Sequence, residues 1–173
     1  MRVVAGQFGG RRLRRPAGSA TRPTADRVRE ALFSMLGDLS EARVLDLYAG
    51  SGALGIEALS RGAESAVFVE RDPRATSVIE RNLADLGLEQ RVVCDDALRF
   101  LEHGQGVFDV VFCDPPYDFG PRIAGSLAEQ LPPLLADNAR IVTESDKRKP
   151  LELPFPLLRD RSYGDTRIAI HGR

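Results

Sequence analysis

The sequence of 173 residues contains no tryptophan, two cysteines and two histidines. Cys94 and Cys113 have neither the spacing of zinc ligands nor that of a disulfide framework, and each ends an apolar run, so we interpret both as small core residues. His103 and His171 lie far apart without a cluster of liganding residues, which predicts two surface histidines and no metal site.

Long apolar runs are also missing. None approaches the roughly 20 residues that a membrane-spanning helix needs, and the opening MRVVAGQFGGRRLRR lacks the apolar stretch of a secretory signal. Hydrophobic residues make up 43% and charged residues 28% of the chain, a balance typical of a globular protein. We therefore expect a cytoplasmic protein without a membrane partner.

Lysine is absent from the first 30 residues, where all positive charge is carried by arginine. Eight arginines stand against Asp26 and Glu30, a local charge of +6 in a chain whose net charge is −1. Arginine makes bidentate contacts with phosphates and stacks on bases, so this asymmetry predicts contact with a polyanion. A solvated tail without a partner is the alternative. The candidates for the contact are Arg11, Arg12, Arg14, Arg15, Arg22 and Arg27.

From residue 43 onward, short apolar runs alternate with helical patterns. The strand candidates are RVLDLY, AVFVE, RVVCD, FDVVFCD and ARIVTES, with a helical pattern after each of the first four. This alternation predicts a parallel sheet with right-handed crossovers. The last residues, LLRDRSYGDTRIAIHG, read as two strands joined at Tyr163, Gly164 and Asp165, so we expect the sheet to end with an antiparallel strand.

Two further patterns precede the alternating region. Residues 2–5 and 12–13 are short strand candidates that predict a small β-hairpin arm. TADRVREALFSMLG reads as a helix with Thr24 as N-cap and Gly37 at its end. We therefore expect an arginine-rich arm over residues 1–20 and one α/β domain over residues 21–173.

A glycine-rich loop follows the first strand of the alternating region. Gly50, Gly52 and Gly55 fit G-x-G-x-x-G between a strand and a helix, where glycines let the backbone approach a ligand and the helix N-terminus offers free amides. Glu70 ends the next strand, where a carboxylate can accept both hydroxyls of a ribose. These features predict a nucleotide site that suits NAD or S-adenosylmethionine.

Two further carboxylates favour S-adenosylmethionine. Asp46 precedes the glycines on the strand itself, where its charge suits the ammonium group of a methionine moiety and contributes nothing to binding a pyrophosphate. Asp96 follows the third strand in CDDA and is placed to accept from an adenine amine. We interpret Asp95 as part of a solvated turn.

The fourth strand ends in FCDPPY, residues 112–117. Prolines fix φ and bring no N–H, so their carbonyls can face outward from a rigid turn. Asp114 and the carbonyl of Pro115 are then placed to accept two hydrogen bonds from an exocyclic amine, and Tyr117 to stack on the base, a contact worth about 1–3 kcal/mol. Ligands of open α/β sheets bind at such strand ends. We predict that Asp114, Pro115, Pro116 and Tyr117 hold an unpaired or flipped base beside a methyl donor.

These residues resemble a known family along nearly the whole chain. The segments that carry the resemblance are RVVAGQFGGRRL, TRPTADRVREALFSML, DLYAGSGALGIEALSRGA, FVERD, DALRFL and FCDPPY. They resemble the bacterial guanine-N2 methyltransferases of 16S rRNA, within the class I S-adenosylmethionine-dependent methyltransferases that carry a D/N-P-P-Y/F motif. The resemblance implies a Rossmann-like α/β fold with a seven-stranded, mostly parallel sheet, an antiparallel last strand and helices on both faces. It further implies methylation of N2 of the guanine conventionally numbered 966.

The resemblance also implies the roles of individual residues. It places S-adenosylmethionine, without a metal, against Asp46, Tyr48, Gly50, Ser51, Gly52, Glu70, Arg71, Asp96, Ala97 and Asp114. It assigns the target guanine to residues 114–117 and the contact with 16S rRNA, in the small ribosomal subunit or its assembly intermediate, to the arginine-rich arm. Tyr48 departs from the general methyltransferase pattern because it stands where the first glycine of the loop is usual. The D/N-P-P-Y classes tolerate an aromatic residue there.

Three other functions share part of this pattern. A methyltransferase acting on adenine N6 in DNA or RNA would use the same motif, although the chain offers no target-recognition domain of the size that such DNA enzymes usually need. An NAD-dependent oxidoreductase would use the glycine loop and Glu70 but would leave the Asp-Pro-Pro-Tyr motif and the arm without a role. A non-catalytic RNA-binding factor is disfavoured by the presence of Asp46, Glu70 and Asp114.

Overall fold

The computed structural model describes residues 1–16, 26–116 and 120–173, with only the backbone of residues 120 and 121. The helices of this part of the chain are α1 Asp26–Leu36, α2 Ala53–Ser60, α3 Pro73–Asp85, α4 Ala97–His103 and α5 Gly120–Gln130. The strands are β1 Arg43–Leu47, β2 Ser65–Glu70, β3 Arg91–Cys94, β4 Phe108–Cys113, β5 Leu135–Asp146, β6 Leu157–Tyr163 and β7 Thr166–Gly172. Within these described ranges, no helix has both the length and the apolar character needed to cross a lipid bilayer.

All seven of these strands form one sheet, in the order β3-β2-β1-β4-β5-β7-β6. The pairs among the first five strands are parallel, and β7 pairs antiparallel with both β5 and β6. Gly164, with a φ of 63°, allows the tight turn between β6 and β7. The predicted parallel sheet with a final hairpin is therefore confirmed, and β7 lies between β5 and β6 rather than at the edge.

Alternate residues of the central strands face two separate apolar layers, as the side-chain period of a strand requires. Phe112 and Val142 belong to the layer formed with α1, α2 and α3, and Phe33 of α1 packs against Phe112 with the ring centroids 5.6 Å apart. Val111 and Ile141 belong to the layer formed with α4 and α5. Helices thus cover both faces of the sheet.

Local sequence signals set the ends of the helices. Gly37 has a φ of 74° directly after α1, the left-handed conformation that commonly ends a helix at glycine. The Asp72 side chain accepts from the backbone N–H of Arg74 and caps α3, whose first residue is Pro73. Thr24, the predicted N-cap of α1, lies outside the described residues, as does the predicted boundary between arm and domain.

Residues 1–16, called the arm below, form a smaller hairpin than the sequence predicts. Arg2 and Arg12 form a single antiparallel bridge. The backbone N–H groups of Val4 and Ala5 donate to the carboxylate of Glu57 in α2, at 2.7 and 3.0 Å. Around the bridge, the N–H groups of Val3, Gly10 and Leu13 donate to the carbonyls of Arg11, Val3 and Met1. The hairpin therefore continues in backbone bonds on both sides of the bridge, whereas Val4 and Ala5 donate to a side chain.

Two interpretations of single residues are wrong. Cys94 is exposed, because β3 is an edge strand of the sheet; Cys113, on the central strand β4, is buried as expected. His171 is 5% exposed, with Nδ1 3.1 Å from the carbonyl of Phe155. It is buried because β7 has a neighbouring strand on each side, whereas His103 lies on the surface.

Candidate active site

The candidate site lies where the strand order of the sheet reverses. β1 and β4 are neighbours, and the chain leaves them toward opposite edges of the sheet. Ligands of open α/β sheets bind in the crevice outside the carboxyl ends of such strands. Leu47 and Cys113 are in register at these ends, so Tyr48 and Asp114 follow at neighbouring positions.

The glycine loop turns from β1 into α2 through several left-handed residues. Gly50 and Gly52 have φ of 58° and 77°, and Tyr48 adopts a φ of 59°. A residue with a side chain is held there against a cost of about 1–3 kcal/mol, whereas glycine adopts this conformation freely. The conformation turns the Tyr48 ring onto the layer formed with α4 and α5.

Gly55 has a packing role rather than a conformational one. A Cβ at this position would lie 2.3 Å from Cε1 of Phe68 and 3.1 Å from Oδ2 of Asp46, so only glycine lets α2 approach the sheet this closely. The Gly55 N–H also donates to Asp46 Oδ2 at 2.9 Å. The first turn of α2 therefore lies directly on the carboxylate of β1.

The Asp46 carboxyl is buried, with 2% of the residue exposed. Burial raises the pKa of Asp46 to about 8, an effect that the nearby Glu70 reinforces and the Gly55 N–H opposes. The unliganded protein therefore holds this carboxyl largely in its neutral form at pH 7. A cationic ligand next to it would favour the ionised form.

Replacing Asp46 by asparagine should stabilise the unliganded protein at pH 7. Between pH 4 and about 8, the unfolded wild-type chain releases the Asp46 proton while the folded protein keeps it, so wild-type stability falls as pH rises. Asparagine keeps an acceptor for Gly55 and removes this loss. We expect a gain of about 1 kcal/mol or more, because one pKa unit corresponds to about 1.4 kcal/mol. Urea unfolding of both proteins at pH 7 and at pH 4 checks this, because the variant's gain over the wild type should disappear at pH 4. A gain of the same size at both pH values would contradict the prediction.

The Glu70 carboxylate shapes the glycine loop from the end of β2. Its Oε2 accepts from the Gly50 N–H and its Oε1 from the Asp72 N–H, both at 2.9 Å. Each carboxylate oxygen has a second lone pair. Glu70 can therefore hold the loop and still accept from hydroxyl groups of a ligand.

A pocket of about 160 Å³ lies beside this loop, and its lining includes four of the predicted site residues. It is lined by Tyr48, Arg71, Asp96, Leu98, Pro116 and Ile123. A larger and more open depression of about 640 Å³ lies at the amino ends of β2 and β3, with residues 65–67 and 91–92 in its lining. The smaller pocket is the one at the carboxyl ends of the strands, where the motifs converge.

Asp96 caps α4 at the edge of this pocket. Its Oδ1 accepts from the N–H groups of Leu98 and Arg99, at 2.9 and 3.4 Å, and these bonds leave Oδ2 for a ligand. Ala97 is the buried first residue of α4. Asp95 accepts from the Asp96 N–H, a local turn contact that agrees with its interpretation as a turn residue.

The Asp114 corner follows β4. Pro115 is buried, whereas Pro116 is exposed and lines the pocket. Burial raises the pKa of Asp114 well above its usual range, and the carboxylates of Glu144 and Asp46 raise it further. Glu144 lies in β5, one residue beyond the in-register pair Cys113 and Thr143, and is itself buried.

The predicted polyanion-binding arginines lie mainly on the arm. Arg11 and Arg14 are exposed and contact Asp85 of α3, through its carbonyl at 2.8 Å and its carboxylate at 2.9 Å. Arg12 and Arg15, and Arg27 on α1, are exposed to solvent. Arg22, and with it the predicted stacking residue Tyr117, lies outside the described residues.

The sequence reasoning missed three buried polar residues. Glu144 sits in the polar triplet TES of an otherwise apolar strand, a signal that could have revealed it. Glu57 and Asn82 interrupt the apolar faces of α2 and α3, and both bind the arm. Their partners lie more than 50 residues away in the sequence, so no local pattern identifies them.

The comparisons with known proteins agree with this arrangement. A family model described as Conserved hypothetical protein 95 matches residues 1–172. Ribosomal RNA small subunit methyltransferase D of Haemophilus influenzae is 38% identical over 178 residues, covering 95% of this chain and 89% of that protein. The protein of the same name from Escherichia coli K12 is 41% identical over 147 residues, covering 84% of this chain and 71% of that protein.

A solved structure named "Putative methyltransferase yhhF from Escherichia coli" has the same fold. It is 37% identical, covers 100% of this chain and 97% of that chain, and has a TM-score of 0.87. With 100% of this chain covered, the match spans the segments that carry the glycine loop, the carboxylates and the Asp-Pro-Pro corner. The chain therefore belongs to the Conserved hypothetical protein 95 family and is a methyltransferase related to the small subunit methyltransferase D proteins.

Proposed function

We propose that this protein transfers a methyl group from S-adenosylmethionine to N2 of a guanine in 16S rRNA, the guanine conventionally numbered 966. The observation that carries the proposal is the position of the Asp114 corner. It lies at the carboxyl end of β4, beside β1 and its glycine loop. In this proposal, the Asp114 corner acts as a rigid acceptor of exocyclic amines next to a turn that binds the nucleotide.

The residues around the loop fit S-adenosylmethionine chemically. Tyr48, Leu98 and Ile123 give the 160 Å³ pocket walls that suit a flat ring, and Asp96 offers an acceptor for the adenine amine. Glu70, at the end of β2, is placed to accept hydrogen bonds from the ribose hydroxyls. Asp46, buried under the loop, supplies the charge that a methionine ammonium group requires.

The rate of methyl transfer depends on how the target amine is oriented toward the methyl group. S-adenosylmethionine supplies an electrophilic methyl group, but the lone pair of guanine N2 is delocalised into the ring and is a poor nucleophile. Hydrogen bonds from N2–H to Asp114 and to the carbonyl of Pro115 would favour a pyramidal nitrogen. Holding the reactants in this orientation can lower the activation barrier by roughly 7–11 kcal/mol. As the N–C bond formed, the S–CH3 bond would break and S-adenosylhomocysteine would leave. The proton lost by N2 would pass to Asp114 or to water.

The names of the relatives support a small-subunit rRNA substrate. The choice of guanine N2 rests on the resemblance in the arm and in the segment TRPTADRVREALFSML. The corner alone would also accept the N6 amine of adenine, which is likewise exocyclic. Radiolabelled methyl transfer to small ribosomal subunits from cells lacking this methyltransferase, followed by mapping of the base, tests the proposal. We expect one labelled guanine at N2, whereas label on adenine N6 would favour the alternative. Parallel reactions with naked 16S rRNA show whether the protein methylates free rRNA or requires the assembled subunit.

The exposed arm arginines should contribute to RNA affinity through phosphate contacts. Replacing Arg12 and Arg15 by glutamine is expected to flatten the dependence of log affinity on log salt by up to ~0.7 per lost contact on a single strand. Filter binding over a range of KCl concentrations measures the slope. The control is Arg159→Gln, an exposed arginine of the edge strand β6, which should leave the slope unchanged. An unaltered slope after loss of Arg12 and Arg15 would instead indicate a solvated tail.

A further inference from the structure

Asn82 of α3 connects the arm to the glycine loop through one buried amide. It is 1% exposed. Its Oδ1 accepts from the backbone N–H of Arg14 at 2.8 Å, and its Nδ2 donates to the Arg14 carbonyl at 3.2 Å and to the Ser51 carbonyl at 3.0 Å. These partners fix the orientation of the amide, because a flipped group would bring its N–H against the Arg14 N–H.

The neighbouring contacts separate two roles within α3. Asp85, one turn after Asn82, binds Arg14 and Arg11 of the arm and makes no contact of this kind with the loop. Asn82 is hydrogen-bonded both to the arm and to the glycine loop. Ser51 stands between the left-handed Gly50 and Gly52, so its carbonyl direction depends on the conformation of the loop.

We propose that Asn82 is a positioning residue that couples cofactor binding at the glycine loop to RNA binding at the arm. The inference rests on the proposed function, which supplies the two ligands. Both donors of the amide are in use, so moving either the Ser51 or the Arg14 carbonyl leaves a buried polar atom unpaired, which is costly. A ligand that fixes one segment therefore favours the bound arrangement of the other, and the effect is reciprocal.

Equilibrium dialysis with labelled S-adenosylhomocysteine, a stable product, tests the coupling. For the wild type we expect affinity at least fivefold higher with saturating 16S rRNA than without it, the lower end of typical allosteric couplings of about 5–150-fold. Asn82→Ala should bring this ratio close to one. Asp85→Ala, which removes a side-chain contact with the arm and leaves Asn82 in place, should retain it.

Amide exchange in the wild type provides a measurement that needs no variant. The Arg14 N–H is bonded to Asn82 Oδ1, so its hydrogen exchange reports that bond directly. Adding S-adenosylhomocysteine alone should slow exchange at Arg14 although the ligand site is at the loop. The amide of Lys147, which donates to Asp165 in the β6–β7 turn, serves as the internal control and should be unaffected.

The outcomes distinguish the coupling from the proposed function. Failure of the wild type to bind S-adenosylhomocysteine would refute the proposed function itself. If the wild type binds both ligands without mutual effect, or if Asn82→Ala keeps the full ratio, the coupling is overturned and the function stands. Unchanged exchange at Arg14 on addition of S-adenosylhomocysteine would overturn it as well, even if the Asn82 variant did not fold.

Discussion

Replacing Asp114 by alanine should reduce kcat for methyl transfer by about 10²-fold or more, because loss of the amine acceptor frees the base from its reactive orientation. Binding of S-adenosylmethionine should change less, since most of its predicted contacts come from the glycine loop, Glu70 and Asp96. Single-turnover methylation and calorimetric titration of the cofactor measure the two effects separately. Near-normal turnover of Asp114→Ala would refute the assigned role.

Asparagine at position 114 is the matched control. Burial, Glu144 and Asp46 raise the pKa of Asp114. The raised pKa favours the neutral carboxyl, which resembles an amide in shape and charge. An amide carbonyl accepts from an exocyclic amine as a carboxyl oxygen does. We therefore expect Asp114→Asn to keep kcat within about tenfold of the wild type, a contrast with alanine that separates hydrogen-bond acceptance from proton transfer.

The parts of the site that follow strand ends could be predicted from the sequence. Tyr48, Glu70, Asp96 and Asp114 each come directly after an apolar run, or two residues after it, and the carboxyl ends of parallel strands meet at one edge of the sheet. The order of strands was not needed for this, only their direction. That is why the pocket contains residues predicted from segments as far apart as Tyr48 and Pro116, 68 positions along the chain.

The parts of the site that depend on a single long-range contact could not be predicted. Glu57 reads as one acid in the apolar helix GIEALS, and nothing near it indicates that Val4 and Ala5 will donate to it. His171 was misread for a related reason, because its burial depends on β7 entering the sheet between β5 and β6. The hydrophobic periodicity and composition of the sequence describe one helix or strand at a time, whereas two or three elements together form the surroundings of Glu57 and His171.

Among the proposed variants, Glu57→Ala should lower the free energy of unfolding the most, because it removes a buried carboxylate. Glu57 is fully buried; it accepts from the N–H groups of Val4 and Ala5 and from Arg61 Nε at 2.8 Å. The Arg29 guanidinium, 1% exposed, lies 3.9 Å from it. Glu57→Ala leaves these donors without their acceptor inside the protein. Breaking a buried pair from one side costs about 3–5 kcal/mol, a large part of the 5–15 kcal/mol that typically stabilises a domain.

Urea unfolding of Glu57→Ala and of Asp85→Ala compares a buried carboxylate that binds the arm with an exposed carboxylate that binds the arm. The Asp85 pair with Arg14 is 50% and 59% exposed, so its loss should cost no more than about 1 kcal/mol. If Glu57→Ala cost as little, Asp26 and the Arg2 carbonyl alone would have to stabilise the buried Arg29. Limited proteolysis adds a local readout, because the Glu57 variant loses the acceptor of two arm N–H groups and should be cleaved faster within residues 1–16. The Asp85 variant keeps that acceptor, so its arm should resist cleavage nearly as well as that of the wild type.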